Sequence, residues 1–291
     1  MTDDPFVTHR NLLFTVAYEM LGSAVDAEDV LQESWLRWSA VDQSQVREPR
    51  AYLVRIVTRQ ALNQLRTVSR RREDYVGEWL PEPLLTSPDV ADDVELAESV
   101  SMAMLTVLET LAPTERAVFV LREVFDVPYD EIADAIDKTP AAVRQIAHRA
   151  KDHVAARRPR VSVDPSEQEE VLARFLTAVN TGDLQGLMDV LAPDVVSVAD
   201  GGGKVRGAAR RPIVGAEKLA AYLLGGMAKA GVQLVSTPTW LNGAPGARIE
   251  VEGKLVGAIT VAVEHGRITR IYSVVNPDKL ASLDAEAPLT R

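Results

Sequence analysis

Residues 128–154 read PYDEIADAIDKTPAAVRQIAHRAKDHV. Two stretches with helical apolar spacing flank DKT. Thr139 stands where a hydroxyl caps the second helix, and Pro140 falls at its first position, where a missing N–H costs nothing. Ala133 is small enough for the helices to cross closely, and Asp137 tolerates the left-handed backbone that the turn requires better than most residues. The pattern predicts a helix-turn-helix. On its second helix Val143, Ala147 and Ala150 share one face and are expected in the core. Arg144, Gln145, His148 and Arg149 project from the other side of the amino-terminal half, the part of such a helix that enters a major groove. Arginine pairs bidentately with guanine and glutamine with adenine, while Lys151, Arg157 and Arg158 lie later and suit phosphates. For His148 and His153 a plain surface role is the alternative.

Towards the amino terminus, residues 101–125 form helices with a restart at Pro113 and Thr114. Before them lies EWLPEPLLTSPDVADDVELAES, residues 78–99, whose prolines at 81, 83 and 88 forbid a continuous helix. Three helices are expected ahead of it: residues 9–22, closed by Gly22; residues 27–40, with Val30, Leu31, Ser34, Trp35 and Trp38 at helical spacing; and residues 48–72, opened by Pro49. Towards the carboxyl terminus a polar, proline-bearing tract leads to two helices, the strand DVVSVAD, the tripeptide Gly201–Gly203, a further helix, and strands rich in Val, Ile, Thr and Tyr separated by Gly or Asn turns. Helices followed by a strand meander describe an α+β domain. The division is 1–75, 76–98, 99–158, 159–167 and 168–285.

The net charge of -10 argues against nucleic-acid binding only if charge is spread evenly. It is not. Residues 47–72 carry eight arginines against Glu48, residues 138–160 carry seven lysines and arginines against Asp152, and residues 73–98 carry acids only. Segregated charge implies local tasks. The absence of cysteine excludes disulfides and thiolate chemistry, four scattered histidines offer no metal spacing, and no cofactor or metal is expected. No apolar run approaches the roughly 20 residues of a membrane helix. MTDDPFVTHR lacks the layout of a secretory signal, so the chain is expected in the cytoplasm.

Taken together, DAEDVLQESWLRW, PRAYLVRIVTRQALNQLR and the long stretch 111–151 resemble, in the expected order, the extracytoplasmic-function (ECF) class of RNA polymerase sigma factors. The remainder resembles the cone-shaped α+β fold of SnoaL-like polyketide cyclases and ketosteroid isomerases. WLPEP (79–83), DGGGK (200–204) and NPDKL (276–280) match signatures of the ECF subgroup with this fusion. The resemblance implies two all-α sigma-factor domains followed by the SnoaL-like domain, with core RNA polymerase and promoter DNA as partners. It makes the helix-turn-helix the reader of the minus-thirty-five element. The minus-ten surface falls on Arg55, Arg59, Asn63, Arg66, Arg70 and Arg71, beside Arg50 and Arg72. Arg59 and Asn63 stand where the class usually shows Asn and Asp, and Asp137 where it shows glycine. Polymerase contact falls on an acidic approach, Asp26, Glu28, Asp29 and Glu33, to a ridge of Leu31, Trp35 and Leu36. Trp35, Trp38 and Tyr52 read either as core or as stacking platforms for an unpaired base.

Regulation is expected at an interdomain contact of the three signatures: Trp79, Leu80, Pro81, Glu82 and Pro83; Asp200, Gly201, Gly202, Gly203 and Lys204; Asn276, Pro277, Asp278, Lys279 and Leu280. WLPEP is expected as an apolar handle gripped by a neighbouring domain, and the acidic residues after it as a linker kept off phosphate. An enzyme with an appended DNA-binding region is the alternative, with Asp200, Glu250 and Asp278 as carboxylates and Tyr222, Trp240 and Tyr272 as walls of a pocket open to a small-molecule ligand. No carboxylate pair stands out, so catalysis is not expected. A repressor that senses a ligand through its last domain is a third reading, and leaves residues 1–75 unexplained.

Overall fold

The computed structural model describes residues 4–72, 75–157, 164–230 and 234–291. The first domain comprises α1 (Pro5–Thr8), α2 (Arg10–Leu21), α3 (Ala24–Ser39) and α4 (Pro49–Arg72). Gly22 ends α2 with φ +67°, a conformation that suits glycine, and Ser23 then caps α3 by accepting the amide of Asp26. Every residue of α2 from Leu12 onward is buried, Glu19 included. Trp38 is enclosed against Tyr52, and its indole N–H donates to Asp4 at 2.9 Å. Trp35 is exposed and does not join that core.

The second helical domain contains α5 (Val94–Val100), α6 (Met102–Leu108), α7 (Pro113–Phe119), α8 (Tyr129–Ile136) and α9 (Pro140–Ala155). A π-helical turn, Val120–Val124, continues α7. Asp137 takes φ +54°, and the Thr139 hydroxyl accepts the amide of Ala142 at 3.2 Å, so the turn forms through the local chemistry its sequence encodes. Val143, Ala147 and Ala150 are buried. Helix resumes at Val94, ahead of the expected restart, because Asp93 accepts the Leu96 amide and caps α5 inside the acidic tract.

The third domain begins with α10 (Pro165–Thr181), capped by Asp164 within the stretch read as linker. It continues through α11 (Leu184–Val190), β1 (Leu191–Asp200), β2 (Ile213–Val214), α12 (Ala216–Ala230), β3 (Leu234–Leu241), β4 (Ala244–Val251), β5 (Lys254–Glu264) and β6 (Arg267–Val274). The six-stranded sheet has the order β2-β1-β6-β5-β4-β3. β3 to β6 form the antiparallel meander, whereas β1 runs parallel to β6. Helices α10 to α12 cover one face with a core that includes Phe175, Leu187, Leu219, Val261 and Ile271. The other face, Ala258, Tyr272 and Val274, packs on Leu80, Met102 and Leu280. That second core draws on three distant parts of the chain, and it joins the domains.

The parallel pairing of β1 and β6 sets Asp200 opposite Val274. DGGGK and NPDKL, which follow these two strand ends, therefore leave the sheet side by side.

Candidate functional site

Asp200 is 0% exposed and its carboxylate is saturated. One oxygen accepts the Lys279 ammonium at 2.7 Å and the Leu80 amide at 2.9 Å; the other accepts the Tyr75 hydroxyl at 2.5 Å and the Gly202 amide at 3.1 Å. Lys279, 4% exposed, also donates to the Leu80 carbonyl at 2.5 Å and lies 3.0 Å from the centre of the Trp79 ring. Tyr75 meets Trp79 edge-on at 4.9 Å, completing an aromatic wall around the cation. A buried ion pair is stable only when its remaining hydrogen-bonding capacity is met, and here Leu80 of WLPEP, Tyr75 and Gly202 meet it. Burial and the neighbouring Asp200 carboxylate push the Tyr75 phenol well above its ordinary range, which keeps it a donor.

The glycines explain how closely the segments approach. Gly202 and Gly203 have φ +57° and +70°. A Cβ at Gly202 would lie 2.5 Å from the Asn276 amide nitrogen, and one at Gly203 would lie 2.9 Å from Val76. Gly201 is closed off by Ala208, 2.8 Å from where its Cβ would stand. Asn276 donates to the Tyr75 oxygen at 2.8 Å, and its own oxygen accepts the Asp278 amide, capping the turn Pro277–Lys279. Lys204 pairs with Asp278 on the surface. Leu280 is buried beside Leu80.

A second junction lies at the other end of WLPEP. Glu82 accepts the amides of Ala24 and Val25, at 2.6 and 3.3 Å, and the Ser23 hydroxyl at 3.2 Å. A carboxylate from the linker thus completes the amino-terminal cap of α3, where the helix dipole favours negative charge. Pro81 and Pro83 are buried around it. Tyr18 donates to the Glu82 carbonyl at 2.6 Å, while Asn242, in the β3–β4 turn, donates to the Tyr18 oxygen at 2.7 Å and to the Val100 carbonyl at 3.0 Å. One asparagine therefore ties the sheet to both helical domains. Beneath it, the Ser99 hydroxyl donates to Glu19 at 2.8 Å, and Arg116 donates to the Glu19 carbonyl at 2.9 Å and to Glu109 at 2.6 Å. Burial pushes the Glu19 carboxyl up to about 8.

The acidic tract is not a free linker over its first half. Leu84 and Asn242 exchange hydrogen bonds, Thr86 donates to the Trp240 carbonyl at 3.1 Å, and Ala287 donates to Leu85 at 2.8 Å. The segment lies along the edge of β3 and is covered by the carboxyl-terminal tail.

On α9, Arg144, Gln145, His148, Arg149 and Lys151 are all exposed. Arg144 lies 5.7 Å from the Tyr129 ring centre, Arg149 reaches 3.8 Å from Glu115, and Lys151 pairs with Glu123 at 2.7 Å. That carboxylate raises the Lys151 pKa. His148 lies 3.7 Å from Asp152. On α4, Asn63 and Arg66 are exposed and Arg55 stacks on Tyr52 at 4.9 Å; the side chains of Arg70 and Arg71, like all of Arg158, lie outside the described residues.

Arg59 is different. It donates to the carbonyls of Asp134 and Ala135 at 2.7 and 3.2 Å and pairs with Asp137 at 2.8 Å. A residue expected to face DNA is bound to the carboxyl end of α8, where free carbonyls attract a cation. Two of the departures from the ECF pattern, Arg59 and Asp137, thus meet one another.

On α3 the expected ridge is split. Leu31 is buried and cannot meet a partner there, whereas Trp35 and Leu36 are exposed. Asp29 is exposed, Asp26 accepts from Gln64 at 2.8 Å, and Glu33 pairs with Arg37 at 3.0 Å. The enzymatic candidates do not converge: Tyr222 on α12 bonds the Gly207 carbonyl, Glu250 lies on β4, Asp278 is exposed, and Asp200 has no capacity left to move a proton. Among the described residues no cluster suits a metal, and no helix is long and apolar enough to cross a membrane.

Helical domains of this form, one of them carrying a helix-turn-helix, define a sigma-type transcription factor. Residues 6–71 match the family model for sigma-70 region 2, and residues 101–154 match that for sigma-70 region 4. The ECF RNA polymerase sigma factor SigJ of Mycobacterium tuberculosis is 37% identical over 287 residues, spanning 94% of this chain and 91% of that protein. The probable ECF RNA polymerase sigma factor SigI of the same organism is 33% identical over 283 residues, spanning 96% and 94%. The crystal structure of M. tuberculosis SigJ superposes with a TM-score of 0.76 at 33% identity, covering 96% of this chain and 98% of that one. The chain belongs to the ECF RNA polymerase sigma factors. It is an initiation factor that gives RNA polymerase its promoter specificity, not an enzyme.

Proposed function

We propose that the docked arrangement is a resting state of the sigma factor, held by its own α+β domain, and that promoter binding requires the two DNA-reading domains to separate. The factor acts in the cytoplasm, with Trp35, Leu36 and Asp29 meeting core polymerase, Arg55, Asn63 and Arg66 near the minus-ten element, and Arg144, Gln145 and His148 reading the minus-thirty-five element.

The observation that carries this reading is the bond from Arg59 on α4 to the end of α8. Elements about 25 base pairs apart, at about 3.4 Å per pair, lie about 85 Å from one another along the duplex. Helices in direct contact cannot span that distance. Nor can Arg59 grip phosphate while it holds Asp137. The linker that must extend is also the segment clamped by Asp200, Lys279 and Asn242. Glu82 adds a link to polymerase: displacing it would free the first two amides of α3, the helix assigned to polymerase contact, and leave Ser23 as its cap.

The test is transcription in vitro with core polymerase and a genomic-fragment library. Asp200→Asn, which removes the charge opposite Lys279, is expected to raise promoter-dependent transcript several-fold over the parent chain. Transcript at or below the parent level, with polymerase binding intact, would contradict the restraint.

A further inference from the structure

The joint between α5–α6 and the sheet is not closed. A cavity of about 310 Å³ lies there, within the size range of small-molecule sites, which favour domain interfaces. It exists because β5 outruns its neighbour. The β4–β5 ladder ends at the pair Gly246↔Thr260, so Val261–Glu264 continue past it. Met102 and Ala103 roof the space from α6, and Leu241, Pro245 and Tyr272 wall it from the sheet.

Within this apolar lining one group is unaccounted for. Thr260 is 6% exposed, and its hydroxyl is closed off from the space and has no hydrogen-bond partner among the described residues, so a turn about its Cα–Cβ bond would present it to an occupant. Its cross-strand neighbour Gly246 has no side chain to offer. A buried hydroxyl without a partner is costly, so a native site that keeps one invites an external acceptor. The rim carries Glu98, Asp164 and Glu264, a sign of charge that turns anions away. This space is separate from the Asp200 latch, none of whose residues lines it. Of the expected pocket walls Tyr222, Trp240 and Tyr272, only Tyr272 belongs to it.

We propose that this corner binds a neutral, mainly apolar small molecule through one carbonyl that accepts a hydrogen bond from Thr260, with the occupant bridging α6 to β5. A bound molecule fixes the second helical domain against the sheet and stabilises the docked form by mass action. The site stands whether or not docking restrains transcription.

The neutral naphthalene ketone Prodan serves as probe, because its emission reports both the polarity around its carbonyl and hydrogen bonding to it. Titrated against the full-length chain, it is expected to bind saturably with blue-shifted emission. Thr260→Val keeps the shape and removes the donor; affinity is expected to fall about two- to tenfold, the range of one hydrogen bond, with a further blue shift. Ala262→Trp, directed into the space, is expected to abolish saturable binding. Non-saturable binding to the parent chain, or saturable binding unchanged by Thr260→Val, overturns the proposal. Should Ala262→Trp fail to fold, the Thr260→Val titration decides alone.

Discussion

Two ion pairs at this molecule's domain joints differ in kind. Asp200–Lys279 is sealed from solvent, walled by two aromatic rings and completed by backbone groups of the linker. Arg59–Asp137 lies at the surface, with side chains 47% and 84% exposed. The buried pair joins the α+β domain to the linker; the exposed pair joins the two DNA-reading domains. The two helical domains share a buried core, with Glu19 held by Ser99 and Arg116; it is the contact of Arg59 with the end of α8, on the DNA-reading side, that solvent and salt can weaken. An inhibitory contact that must be exchanged for DNA phosphate has reason to be weak, while the element that positions it has reason to be strong.

The largest expected effect comes from breaking the buried pair on one side. Asp200→Ala leaves Lys279 buried without its counter-charge, and should destabilise the docked chain by about 3–5 kcal/mol, measured by urea unfolding of the full-length protein. An Asp200→Ala, Lys279→Met double variant should recover part of that loss.

Of similar size over its whole pH range is an effect at the joint beneath Asn242. Glu19 has a folded pKa of about 8, above its ordinary 4.5, because burial penalises the carboxylate more than Arg116 and Ser99 favour it. The folded state therefore holds a proton that the unfolded state releases. Stability should be highest below pH 4.5 as far as this group is concerned, and should fall by up to about 1.4 kcal/mol per unit as pH rises from 4.5 towards 8. The Glu82 carboxyl is also raised by burial and contributes with the same sign. Glu19→Gln should flatten most of the slope; a profile unchanged by it would remove Glu19 from the account.

The smallest effect belongs to the exposed pair. A double-mutant cycle with Arg59→Ala and Asp137→Ala should give a coupling of at most about 1 kcal/mol, declining in 0.5 M salt. The transcriptional effect of Arg59→Ala should be mixed, since the same side chain restrains and binds.

Much of this was legible in the sequence. Thr139, Pro140 and Asp137 encode their turn locally, so the helix-turn-helix follows from capping and backbone preference alone. The strand meander follows from its Gly and Asn turns. The three signatures could be named from family resemblance, but nothing in their composition says that Asp200 is buried against Lys279. That depends on β1 pairing in parallel with β6, a long-range choice. Tyr75, Tyr18 and Asn242 were missed for the same reason: a turn Asn-Gly reads as an exposed hairpin, and only the neighbouring helices bury it. Glu19 did leave a signal, one acid in the apolar run LLFTVAYEML. Leu31 is buried while Trp35, one turn further along α3, is exposed, because which of two neighbouring large apolar residues turns inward is set by α2 and α4, not by α3.

The central claim is that the two DNA-reading domains are held together in the free chain and part on the promoter. Because the chain has no cysteine, Gln45→Cys and Asp130→Cys, both exposed, can be spin-labelled without background, one on each domain. Pulsed dipolar spectroscopy is expected to give one short distance in the free protein, and a distance longer by tens of ångströms with core polymerase and promoter DNA. Asp200→Asn should already broaden the free-state distribution towards the longer value. The same short distance in the free chain and on the promoter would contradict the account.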